Sequence, residues 1–361
     1  MKGKVVLVSL RFNPAFTQFL IAYAKAVREL GHEASFLLDP TYARFPELVN
    51  VAPIFELGKA PLANSWTHAV FLNPSVENRE LAAALKRDGT KILYVYHEPW
   101  QMSLRYLMDE GLLATLRAAL AHHFTIPILK LADKVILASR YGLSQYQKAD
   151  ARFNRNPVYF PLIFDDDAPG DVAELLLQKR YFGYIGNLCR AHGFDQYLSF
   201  MRHALRRGTD LRFLIASRSP FPGHILNDPL ISLNLDKIEM RCGRPLANDE
   251  MNRCYAESFC VWNIYRRSTQ SAVLPKAFMF GTPVLASRIG SFPEYVRDGY
   301  NGRFAPGNDT ESIGRALEDI RANPMRYVTS CRQSFTETFF YRSQLRDLSL
   351  LLEVPFLSGP A

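Results

Sequence analysis

Gly290, Ser291, Pro293 and Glu294 have the types and spacing of an anion-binding helix start. Ser291 and Glu294 frame a capping box, in which the serine accepts from a first-turn amide and the glutamate reaches back to the cap. Pro293 fits because early helix positions need no amide donor. Gly290 lets the preceding strand TPVLAS turn sharply, so the free amides and positive dipole end of the helix are expected to face a ligand. The blander reading is a tight strand-to-helix junction. Lys276, after Pro275, is expected in the first turn of the helix PKAFMF, where a cation opposes the dipole by roughly 0.3 to 1 kcal/mol. An anionic partner would explain it; a solvated lysine is the alternative. His97 and Glu98 end the run ILYVYHEPW and put two titratable groups at a strand end, either one suited to take a proton from a hydroxyl.

These residues need a scaffold, and the order of apolar runs supplies one. KVVLVSL, EASFLL, AVFLN, KILYVY and KVILAS alternate with helical patterns such as AFTQFLIAYAKAVREL, which Gly31 closes. Strand-helix alternation of this kind predicts a parallel sheet covered by helices on both faces. Residues 156 to 171, NPVYFPLIFDDDAPGD, break the pattern with three prolines and an acidic cluster and read as an interdomain connection. Asp165 to Asp167 are taken as a solvated acidic turn, and no metal site is expected. A second alternation runs through RYFGYIGNL, LRFLIAS, KIEMRC, FCVWNIY, TPVLAS and NGRFAP, ending with the helix TESIGRALEDIRA. The expected organisation is therefore α/β, with a first doubly wound domain over 1–165 and a second over 172–335. The amphipathic segment from Thr336 is expected to pack back on the first domain. Two such domains form a cleft facing the carboxyl ends of their strands, where ligands bind.

The 361-residue length suits two cores. Net charge is +8, with 19 Lys and Arg against 14 Asp and Glu up to Asp165, and 24 against 21 beyond it. So even a spread disfavours a nucleic-acid partner and fits weak attraction to an anionic membrane face. Five cysteines without a CxxC pair point to a reducing, cytoplasmic setting. The apolar run in MKGKVVLVSL is too short for a secretion signal or span. Arg11 and Asn13, in the loop after the first strand, are candidates for acceptor or phosphate contact. His122 and His123 lie in an apolar stretch read as an exposed helix end or an acceptor- or membrane-facing surface. Trp100, Arg105 and Tyr106 would give that region an aromatic and basic face.

The segment GTPVLASRIGSFPEYVRDGYNGRFAPGND closely resembles one found in family 4 type glycosyltransferases of the GT-B fold, which transfer sugars from nucleotide donors. YFGYIGNLCRAHGFDQYL and KIEMRCGRPLANDEMNRCYAESFCVWNIY resemble further donor-domain segments, and LADKVILASRY resembles the last strand of the acceptor domain. The resemblance implies two Rossmann-like domains facing a cleft, a nucleotide-sugar donor, and a polysaccharide or lipid-linked acceptor; no DxD-like triplet follows a strand in the expected position, so metal-independent transfer without a cofactor is expected. It also implies retention of configuration, while the spread positive charge and the aromatic and basic face make peripheral contact with the cytoplasmic membrane face the expectation. Gly186, Asn187, Arg190 and His192 fall on the family's phosphate loop, with Asn187 and His192 where the family has Arg and Lys. Ser268 and Lys276 replace its two glutamates. Gly290, Ser291 and Glu294 match its tail motif. His97 matches a histidine close to the transferred sugar, where it either orients the donor or, like Glu98, acts as base. The missing glutamates leave an inverting mechanism open, and they leave two rivals: a GT-B nucleotide-sugar epimerase and a weakened sugar-nucleotide-binding subunit. A third rival, an NAD-dependent dehydrogenase, is disfavoured because no GxGxxG follows a strand.

Overall fold

The computed structural model describes residues 3–57, 66–99, 106–107 and 111–355. The alternation of apolar runs and helices resolves into two units, one built from residues up to Asp165 and from Thr338 onward, the other from Asp166 to Glu337.

The first unit holds a seven-stranded sheet of β1 (Lys4–Ser9), β2 (Glu33–Leu38), β3 (Ile54–Phe55), β4 (His68–Phe71), β5 (Lys91–Val95), β6 (Lys134–Leu137) and β7 (Pro157–Tyr159), in the order β3-β2-β1-β4-β5-β6-β7. Every pairing is parallel. In β1, Val5 and Leu7 enter a core with the helix Thr17–Glu29, while Val6 and Val8 enter the core on the opposite face. Burial on both faces is why the strand reads as a continuous apolar run. Burying each such side chain stabilises by about 1.5 to 3 kcal/mol. Pro157, expected in a connection, instead opens the edge strand β7, where a missing amide costs no ladder bond. The C-terminal segment closes the same unit. Phe164 N donates to Phe339 O at 2.8 Å, Tyr341 N donates to Phe164 O at 3.0 Å, and the Tyr341 hydroxyl donates to Glu29 at 2.6 Å.

The second unit holds a six-stranded parallel sheet of β8 (Tyr181–Ile185), β9 (Arg212–Ser217), β10 (Ile238–Cys242), β11 (Ser258–Asn263), β12 (Val284–Ala286) and β13 (Gly302–Phe304), in the order β10-β9-β8-β11-β12-β13. Trp262, Phe182 and Tyr197 fill its centre with edge-on and tilted ring contacts of 5.4 to 6.1 Å. The Tyr197 hydroxyl is satisfied by Phe182 O at 2.7 Å.

The acidic cluster is not a solvated turn. Asp165 pairs with Lys25 in the first unit. Asp166 receives Arg332 through two hydrogen bonds of 3.0 and 2.6 Å, and Asp167 receives Lys276 at 2.9 Å, both in the second unit. Consecutive carboxylates thus pin the chain on either side of the unit boundary.

Candidate functional site

Strand order reverses in the second sheet between β8 and β11, because β8 continues to β9 on one side and meets β11 on the other. Open α/β sheets bind ligands just outside the carboxyl ends of the strands at such a switch point. Three chain segments emerge there: Gly186 to Asp195 after β8, Asn263 to Ser271 after β11, and Ser287 to Ser291 after β12.

Short contacts join the three. Arg266 N donates to Ala191 O at 2.8 Å, and the Arg266 guanidinium pairs with Asp195 at 2.6 Å. The Tyr265 ring stacks on His192 at 4.3 Å and 8° and meets Phe292 edge-on at 5.4 Å. The Ser287 hydroxyl donates to Tyr265 O at 2.7 Å. Trp262 Nε1 donates to His192 O at 3.1 Å, tying the first loop to the core. Gly193 has φ +68°, and a Cβ on it would stand 2.2 Å from Ile264 O. Only glycine lets these backbones approach. Gly193 also starts the 13-residue helix Phe194–Arg206, which no side chain caps. Its amides and dipole end suit an anion.

The polar atoms here are incompletely paired. Asn263 is fully buried at the end of β11, and neither its amide nitrogen nor its amide oxygen has a hydrogen-bond partner among the described residues. His192 Nδ1, Arg266 Nε and Gln270 Oε1 are buried in the same condition. Unpaired buried polar atoms cost about 1 to 3 kcal/mol each, so four side chains of this kind at one strand edge are groups that a ligand could satisfy. Burial pushes the His192 ring down to about 4, with the Arg267 charge acting the same way, so it is neutral at pH 7. Arg190, Arg266, Arg267 and Arg288 against one acidic residue, Asp195, make the three segments cationic.

Of the residues singled out from sequence, Gly186, Asn187, Arg190, His192, Ser268, Gly290 and Ser291 lie on these segments. Gly290 has φ +56° and backs onto the Ser268 loop, where a Cβ would stand 1.8 Å from Ser268 O; Ser291 N donates to that same oxygen at 3.2 Å. The capping box is corrected. Ser291 sits in the αR region rather than the extended conformation a cap needs, its side chain makes no cap bond, and the helix it precedes is only Phe292–Tyr295. Glu294 is exposed on that short helix.

Lys276 is corrected in place and partner. The helix begins at Val273, so Pro275 occupies its first turn and Lys276 the next. Its ammonium is buried, 2.9 Å from Asp167 Oδ2 and 3.0 Å from Asn252 Oδ1. Burial alone would raise the Asp167 carboxyl, but the Lys276 charge and hydrogen bonds from Lys276, Asn248 and Asn252 hold it below its ordinary value. Asn263, Arg266, Arg267 and Arg288 were not foreseen. The available signal was an asparagine ending the apolar run FCVW and the RR pair that follows it.

The first unit has its own switch point, between β1 and β4. Asn73 Nδ2 donates to Arg11 O at 2.5 Å there, and the Tyr42 hydroxyl bridges Asn13 N and O at 3.2 and 3.0 Å. His97 belongs to this edge. Its Nε2 lies 2.9 Å from Leu72 O, which can only accept, so Nε2 carries the proton. Phe16 and Phe19 flank the ring at 5.0 and 6.1 Å, and burial pushes its pKa down to about 4. Such a ring is a weak base and a well-fixed orienting group. Glu98 is exposed. Tyr106 is described, whereas Trp100 and Arg105 lie outside the described residues. Among the described residues no three His, Cys, Asp or Glu side chains converge as metal ligands.

Residues 179–323, the second unit almost entire, match the family model of glycosyl transferases group 1. A D-inositol 3-phosphate glycosyltransferase of Streptomyces bingchenggensis is 36% identical over 81 residues, 22% of this chain, and its counterpart from Streptomyces coelicolor is 48% identical over 44 residues, 12% of this chain. The matched stretches span 18% and 10% of those relatives. Solved structures share the whole fold. Sucrose-phosphate synthase of Thermosynechococcus elongatus has 15% identity and a TM-score of 0.69, covering 98% of both chains. Anabaena HepE in complex with UDP and glucose has 13% identity and a TM-score of 0.68, covering 97% of this chain and 99% of that one. The two parallel sheets are those of GT-B glycosyltransferase structures.

Proposed function

We propose that this protein is a glycosyltransferase that holds a nucleotide-diphosphate sugar at the carboxyl edge of the second sheet and passes the sugar to a polysaccharide or lipid-linked saccharide. The observation that carries this reading is a coincidence. The stretch matching the glycosyl transferases group 1 family is the stretch whose switch point holds the unpaired Asn263 amide among four arginines. HepE, the neighbour solved with UDP and glucose, supports the donor class.

The chemistry follows from charge. When a glycosidic bond to a diphosphate breaks, negative charge grows on the departing phosphate, and fixed cations and helix amides aimed at it lower the barrier. We assign that role to Arg190 and to the helix start at Gly193, with Arg266 and Arg267 as a second cationic rank. Asn263 and His192, neutral at working pH, would accept and donate to sugar or ribose hydroxyls. His97 in the first unit is assigned to orientation and Glu98 to proton acceptance from the acceptor. We assign a retaining course on the family resemblance, a metal-independent one on the sequence's lack of a DxD-like triplet after a strand, and a reducing cytoplasmic setting on the five free cysteines.

Thermal unfolding against UDP-, GDP-, ADP- and dTDP-sugars tests the reading. A donor at a hundred times its Kd stabilises the fold that binds it by about 2.7 kcal/mol. Stabilisation by one nucleotide family, with transfer to an added saccharide rather than isomerisation of the donor, supports it. No shift with any member of the panel removes it.

A further inference from the structure

The helix Leu112–Leu131 faces the wrong way for a soluble protein. Its inward side carries Thr115, His122 and Thr125, with Ile128 and Leu129 the large apolar residues it buries. Its outward side carries Leu112, Leu113, Leu116, Leu120 and Phe124, of which Leu113 is 72% exposed whereas Thr115 is 8% exposed. At 100° per residue these five fall within one arc of about 120°, a ridge about 18 Å long.

The inward polar groups are held. Thr115 and Thr125 hydroxyls donate to Gly111 O and Ala121 O, each at 2.9 Å. His122 Nδ1 lies 3.1 Å from the Tyr96 hydroxyl, and its Nε2 lies 3.4 Å from the buried Asp150 carboxylate. The helix is long and apolar enough to cross a bilayer, with mean hydropathy 1.3. Those anchors, and Ile128 and Leu129 in the core of the first unit, keep one side fixed in protein. Such a helix lies on a membrane rather than through it.

Charge selects the occupant. The helix contains no acidic residue; Asp109 and Glu110 precede its start in the sequence, and residues 111 to 156 carry seven Lys and Arg against two Asp. One of those aspartates is the buried Asp150, and the other, Asp133, is paired with Lys86 at 3.0 Å. Arg117 adjoins the ridge, and Lys130 and Arg152 lie over the Phe153 ring near its C-terminal end at 6.0 and 4.7 Å. An apolar ridge bordered by Arg117, Lys130 and Arg152 matches the interface of an anionic bilayer, where acyl chains take the leucines and headgroups take the bases. We propose that the outward face of Leu112–Leu131 docks the protein on anionic membrane, independently of the donor chemistry assigned above.

Flotation of the full chain with vesicles of phosphatidylcholine alone, and of phosphatidylcholine with 30% phosphatidylglycerol, tests this. Co-flotation only with the anionic vesicles is expected, weakened about fivefold by Arg117→Gln. It should be lost in Leu116→Asp/Leu120→Asp, with unchanged thermal unfolding because both positions are exposed. In the wild-type chain, amide exchange over 112–124 should slow when anionic vesicles are added. Absence of flotation, equal flotation of the double variant, or a dimer in solution that the double variant abolishes would each overturn the proposal.

Discussion

Lys276 Nζ lies 2.9 Å from Asp167 Oδ2 inside the second unit, with Asn252 completing the contact at 3.0 Å. The pair is mostly removed from water, at 8% and 23% side-chain exposure. Removing one partner of such a pair leaves the other buried and uncompensated, which costs about 3 kcal/mol or more. Lys276→Ala should therefore lower the unfolding midpoint of the second unit severely. Lys276→Met/Asp167→Leu should recover much of the loss. A double-mutant cycle with additive effects would refute the coupling.

The Gly290 corner makes a second prediction. Gly290→Ala would place a methyl 1.8 Å from Ser268 O at φ +56°, so the Ser268 loop must move. We expect destabilisation of more than about 2 kcal/mol and a loss of nucleotide affinity, read by denaturant unfolding and titration. Ala at Gly89, where φ is +83° but no atom lies within 4 Å, should cost only the backbone strain and leave affinity unchanged.

The histidines set a pH dependence. Burial holds His68, His97 and His192 down to about 4 in the folded chain, against about 6.5 unfolded. Between those values the unfolded chain binds more protons, so stability is complete above pH 6.5 and falls as pH drops towards 4. Thermal midpoints measured from pH 8 to 5 should be level at first and then decline. A rise on acidification would contradict the neutral, buried rings.

Much of the fold was legible in sequence because parallel strands buried on both faces must be apolar throughout. KVVLVS, RFLIAS and KVIL announced themselves that way, each followed by a helical pattern. β3 and β7 escaped because two or three residues make no period, and Pro157 reads as a break until its edge position is known. The Gly186 and Gly290 turns and Arg190 of the second unit were legible as chemistry, whereas Arg266, Arg267 and Arg288 were not. The fate of single side chains was not, since pairing depends on distant partners. Lys276 looked like a waiting cation, yet a carboxylate 109 residues earlier in the chain neutralises it. Ser291 has the type of a cap, but its backbone follows the Gly290 turn into the wrong region. Asn263 carried no motif beyond its place at the end of an apolar run, and the burial of its unpaired side-chain amide marks it.

Asn263→Leu tests the central claim most directly, through calorimetric titration with whichever nucleotide diphosphate gives the largest thermal shift. Leucine removes two unpaired buried polar atoms, so the variant should unfold at a higher temperature, by about 1 to 2 kcal/mol of stability. It should also bind the nucleotide or its sugar at least about tenfold more weakly, the loss of one strong hydrogen bond. A variant that binds as tightly as the wild-type chain, with no gain in stability, would contradict a donor site at the carboxyl edge of the second sheet.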